Sequence, residues 1–120
     1  MHRIDQSKFL LFIEPSAEEK LKTPIQDELT QLMKLALEKA TPGTSNYSNL
    51  TSEATFWEGS GFKGTHVTGC GKRSANVDYL LENGMITNSL APFYLEYYRY
   101  SIPESEMGKI KELALYYQTI

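Results

Sequence analysis

Cysteine, histidine, valine and net positive charge are all scarce in this chain, and each scarcity excludes something. The 120 residues hold one cysteine, Cys70, so no disulfide can form within the chain, and a lone thiol fits a reducing, cytoplasmic setting. Two histidines beside that cysteine fall short of the four paired ligands of a structural zinc site, so no metal is expected. There is no Gly-rich phosphate fingerprint and no ligand set for haem or flavin, so no cofactor is expected either. Twelve basic residues against 15 acidic ones remove the electrostatic reason to expect nucleic acid. The longest apolar run, residues 9–13, is far below the roughly 20 residues of a membrane span. Glu14-Pro15 follows it, unlike the small residues of a signal-peptide cleavage site. No membrane association is expected.

What is present is ordinary in amount and uneven in distribution. Hydrophobic residues make up 41% and charged residues 22%, as in a folded globular protein, and the length suits a single domain over residues 1–120. Fourteen Leu and seven Ile against two Val favour helices over a large sheet. Six of the eight glycines fall between Thr41 and Asp78. The ends therefore read as helical scaffold and the middle as turns, short strands and loops.

Local patterns place the elements. Residues 7–14 form a short buried element whose type, strand or helix, the periodicity leaves open. Ser16 and Glu19 make a capping box for a short helix over 17–22. Thr23-Pro24 opens a helix to about Lys39, with Ile25, Leu29, Leu32, Met33 and Ala36 on one stripe. Thr41-Pro42-Gly43 stops it and begins a polar stretch over 44–52. Residues 55–58, the turn Gly59-Ser60-Gly61 and residues 62–68 predict one hairpin. Residues 75–81, Asn83-Gly84 and residues 85–87 predict a second. Asn88 or Ser89 caps a helix to about Tyr100, and Pro103 opens the last one, with Met107, Ile110, Leu113, Ala114 and Tyr117 facing inward. The expected fold is α+β: three to four helices packed on a small antiparallel sheet of two hairpins.

Side chains able to do chemistry are densest over residues 64–89. A thiol between glycines at Cys70, with Lys72 and Arg73 to lower its pKa and His66 as base, is one arrangement; Asp78 or Asn76 would orient the imidazole. His66, Cys70 and Asp78 are thus the catalytic candidates of a small enzyme. A second arrangement binds an anion. Asn88 and Ser89 at a helix start offer backbone N–H groups, and Arg73 or Lys72 reaches the ligand, with Ser74 and Asn76 nearby. Glycine-supported turns and ordinary helix capping account for the same residues without a ligand. Outside this region, six of the eight tyrosines lie between Tyr94 and Tyr117. Tyr94, Tyr97, Tyr98 and Tyr117 are candidates for a partner or homo-oligomer interface, because a tyrosine ring buries area while its hydroxyl stays hydrated.

The segment Gly64-Thr65-His66, Cys70-Gly71, Ser74, Asn76, Asp78-Tyr79, Asn83-Gly84, Thr87-Asn88-Ser89-Leu90-Ala91 and Tyr94-Leu95 resembles a family of small bacterial proteins with no established activity. The resemblance covers about a third of the chain and implies a location, not a chemistry. The resemblance implies that members of such a family often carry more Cys and His in this segment, whereas here position 68 is threonine and position 93 is phenylalanine. A metal or thiol role general to such a family is thereby put in doubt for this chain. The sequence favours a non-enzymatic binding or assembly module, with a small anionic ligand or a protein partner meeting residues 64–89.

Overall fold

One short N-terminal segment touches both edges of the sheet, and much of the architecture follows from it. The computed structural model describes residues 2–47, 53–59, 72–74 and 77–119. Five antiparallel strands, β1 (His2–Asp5), β2 (Thr41–Tyr47), β3 (Glu53–Glu58), β4 (Asp78–Leu80) and β5 (Ile86–Thr87), lie in the order β1-β3-β2-β4-β5. After β1 the chain makes a 3-10 turn at Gln6–Lys8, and Phe9 then bridges Ile86 on the opposite edge. In a flat sheet that crossing would span about 24 Å at roughly 4.8 Å per strand. Four residues stretch to about 14 Å at most. The sheet must curl, and it does.

Three helices complete the α+β fold: α1 (Glu28–Glu38), α2 (Ala91–Tyr97) and α3 (Glu104–Thr119). The larger core lies among them and includes Met33, Tyr94, Leu95, Tyr98, Ile110 and Leu113. A smaller one, Phe9, Ala54, Phe56 and Ile86, fills the curl of the sheet. Residues 9–13 join the two as a strap. Phe9 belongs to the sheet core, whereas Leu10 and Leu11 both belong to the helical core. Consecutive side chains of a regular strand point to opposite faces. Leu11 escapes this rule with a left-handed backbone, φ +58°, a conformation costing a non-glycine residue about 1–2 kcal/mol.

The strap's polar backbone is met from all sides. The Leu10 N–H donates to the Ile86 carbonyl (2.7 Å), and the Leu10 carbonyl accepts from Thr87 Oγ1 (2.8 Å). The Leu11 N–H donates to Glu106 Oε1 (2.7 Å), and its carbonyl accepts from Asn88 Nδ2 (3.1 Å). Lys109 Nζ reaches the Phe9 carbonyl (2.6 Å) and Tyr94 Oη the Ile13 carbonyl (3.0 Å). The segment whose type periodicity left open is therefore neither an ordinary strand nor a helix.

Several boundaries differ from the sequence expectation, each for a physical reason. Helix α1 starts at Glu28 rather than Pro24, because Asp27 takes the cap: its Oδ1 accepts from the Thr30 N–H (3.2 Å). Arg99 holds the same carboxylate through its two terminal guanidinium nitrogens (2.8 and 2.7 Å). The short helix over 17–22 is only a 3-10 turn, Ala17–Glu19, with Ser16 as its cap. The expected polar stretch is the central strand β2. Over residues 41–46 its buried positions are Gly43 and Ser45, so no apolar alternation marks that stretch. Strand β3 pairs with β2 and β1, so the described residues form a five-stranded sheet rather than two hairpins alone; its expected partner, 62–68, lies outside the described residues. The second hairpin is present but short, with Gly84 at φ +93° closing the turn after Asn83. Helix α2 ends at Tyr97, and a 3-10 turn, Arg99–Ser101, follows.

Candidate functional site

The sequence candidates divide three ways. His66, Cys70 and Asn76 lie outside the described residues. Asp78 is buried, 1% exposed, and accepts a hydrogen bond from Ser45 Oγ; Ser74 is also buried, and Arg73 is exposed. Asn88 does not cap α2, whose cap position is Leu90. Its side chain is spent on the strap and on a turn: Nδ2 donates to Leu11, and Oδ1 accepts from the Leu90 N–H (2.9 Å). Helix α2 is seven residues long with proline in its first turn, so its end offers an anion little of the dipole or of the free N–H groups that a longer helix supplies.

Ser89 does belong to a site, and Lys72 comes to it. Together with Lys20, Pro92, Phe93, Glu96 and Tyr97 they line an open groove of about 660 Å³. Phe93 and Tyr97 are one helical turn apart and so share a face of α2, with ring centroids 5.1 Å apart and planes tilted by 43°. Lys20 arrives because residues 21–25 run along the end of α2. The Leu21 N–H donates to the Tyr97 carbonyl (2.7 Å) and the Ile25 N–H to the Glu96 carbonyl (2.9 Å). Lys20 Nζ then stands 5.0 Å from the Tyr97 ring centre and 5.8 Å from that of Phe93. Lys72 Nζ stands 5.6 Å from the Phe93 ring centre. Glu96, on the rim, faces Lys34 (4.0 Å) and Gln26 (3.4 Å), which offsets its charge.

The floor of the groove is backed by the core. The Phe93 ring lies 5.9 Å from that of Tyr98 and 6.4 Å from that of Tyr94. Tyr94 and Tyr98 are 1% and 0% exposed. Those two tyrosines, expected at a partner surface, are therefore core residues with no ring area to offer a partner. Tyr97 belongs to the groove. Tyr117 ties α3 to the β4–β5 hairpin by donating to Glu82 Oε1 (2.9 Å).

A second cavity, of about 350 Å³, lies beside the strap against Phe9, Phe12, Pro103, Glu106 and Lys109. Glu106 and Lys109 pair at 2.7 Å, and both already hold strap backbone, so their chemistry there is structural. Among the described residues no three His, Cys, Asp or Glu side chains gather as metal ligands, and no helix is long and apolar enough to cross a membrane. Comparison with protein-family models, with curated proteins and with solved structures yields no match, so the geometry of the groove carries the functional argument. Lys72 and Ser89 were legible as anion-binding candidates. Lys20 was not, since only the tertiary path of residues 20–25 brings it to the rings.

Proposed function

We propose that this protein is a non-catalytic binding module whose groove on α2 takes a small anionic ligand. The observation that supports this reading is the convergence of Lys20 and Lys72, remote in sequence, on the Phe93 ring, in a groove that Ser89 and Tyr97 also line. A cation held over an exposed ring gains about 0.5–1 kcal/mol. A hydrogen bond to a charged group contributes about 1.5–3 kcal/mol. An incoming phosphate or carboxylate therefore competes well with the ring faces for the two ammonium groups, and Ser89 lies beside them on the groove wall. The run Thr87–Ala91, part of the segment that carries the resemblance, includes Ser89.

Titration of isotope-labelled protein with inorganic phosphate, followed by amide chemical shifts, tests the reading. Shifts should centre on Ser89, Phe93 and Tyr97 and disappear in the Lys20→Ala/Lys72→Ala double variant. Shifts scattered over the surface, or unchanged in the double variant, would refute it.

A further inference from the structure

Resting on that reading, we infer that the preferred ligand is an anion joined to a planar ring, such as an aryl phosphate or aryl carboxylate. Anion binding changes what the floor of the groove faces. Both lysines stand over ring faces, with ammonium-to-centre distances of 5.0–5.8 Å. When they turn to an anion they leave those faces, and the aromatic floor loses its cover. A bare inorganic ion leaves Phe93 and Tyr97 facing water. A ligand with a flat ring replaces the departing ammonium with a stacked or edge-to-face aromatic contact, so one molecule satisfies both the lysines and the rings.

Two further observations favour a ring over a flexible chain. The floor is pre-organised, because Phe93 packs on the buried rings of Tyr94 and Tyr98, and a rigid surface loses little freedom on binding. The groove, at about 660 Å³, falls within the roughly 300–1,000 Å³ range of small-molecule sites and exceeds what a lone phosphate fills.

The test compares matched probes by calorimetry on the intact chain: inorganic phosphate, phenyl phosphate with cyclohexyl phosphate, and benzoate with cyclohexanecarboxylate. At about pH 8.5 both members of each pair are fully ionised while the lysines keep their protons, so each pair matches charge and differs in the flatness and π character of the ring. The aromatic member of at least one pair should bind about three- to tenfold more tightly than its saturated partner. Which pair shows it identifies the acid group. Phe93→Leu should bring the affinity ratio within that pair to about one, both members being measured on the same variant, and circular dichroism checks that the variant is folded. Equal affinity within both pairs overturns the ring inference and leaves anion binding standing. Absence of binding by every probe overturns both.

Discussion

At the scale of single residues, the fold depends on a few side chains that serve backbone rather than other side chains. Glu106 holds the N–H of Leu11 in its left-handed conformation. Glu106→Ala leaves that buried N–H without its acceptor and should cost about 1–3 kcal/mol in urea unfolding. Glu106→Gln keeps a carbonyl acceptor and should recover most of the loss. Equal losses in the two variants would mean that the pair with Lys109 matters more than the bond to Leu11. Gly43 is a second such position. A Cβ there would lie 2.2 Å from the Trp57 carbonyl oxygen and 2.4 Å from the Phe56 ring, so Gly43→Ala should destabilise by at least about 1–3 kcal/mol. Gly108, inside α3 with open space around it, gives the opposite sign. Gly108→Ala should stabilise by about 0.5–1 kcal/mol, measured in the same unfolding assay.

Between elements, two polar ties make stability depend on pH at opposite ends of the scale. Arg99 beside Asp27, helped by the Thr30 N–H, holds the Asp27 carboxyl well below the usual carboxylate range. As pH falls below about 4 the unfolded chain takes up that proton first. The stability from this tie is therefore full above that pH and declines toward the lower folded-state pKa. The Asp27 side chain is 45% exposed, so solvent screening keeps the effect modest; Asp27→Asn should flatten the acid limb of a stability–pH curve. Burial, followed by the bond to Glu82, pushes the Tyr117 hydroxyl up to about 12 from 10.0. Between those values the folded chain retains a proton that the unfolded chain has lost, so stability falls as pH rises. A Tyr117→Phe variant should lack that decline, and ultraviolet titration should show one fewer late-ionising tyrosine in the variant than in the wild type.

The elements also show how much a sequence of this kind reveals. Helix α3 was legible because its apolar residues recur at helical spacing, and the β4–β5 hairpin because Asn83-Gly84 is a local turn signal. Strand β2 was not, since hydrogen bonds to two neighbouring strands define it and its inward positions are Gly43 and Ser45. The Thr23-Pro24 signal does not start α1, because Arg99, distant in sequence, reinforces Asp27 as the cap. The groove was half legible for the same reason. Ser89 and Lys72 stand in the chemically dense region, whereas Lys20 reaches the site only through backbone bonds to Glu96 and Tyr97.

For the whole molecule, the strap makes closure a long-range event. Its bonds to Thr87, Asn88, Glu106 and Lys109 join residues 77 to 100 positions apart. Contacts of such separation form against a large loop entropy and tend to form late. Glu106→Ala should accordingly speed unfolding while leaving the folding rate nearly unchanged, a pattern that stopped-flow chevron plots resolve. A slowed folding limb would instead place the strap in the folding nucleus.

The crossing of residues 6–8 from one edge of the sheet to the other bears on how molecules of this protein meet each other at high concentration. Unpaired backbone along a terminal strand can template a neighbouring chain and seed fibrous aggregation. Phe9 and Leu10 occupy the outer side of β5, which removes one such template. Among the described residues the remaining one is β1, four residues long, with Arg3 and Asp5 along it. A foreign strand arriving there finds little length to pair with and charges of both signs, so the turn that curls this sheet also limits its growth into an assembly.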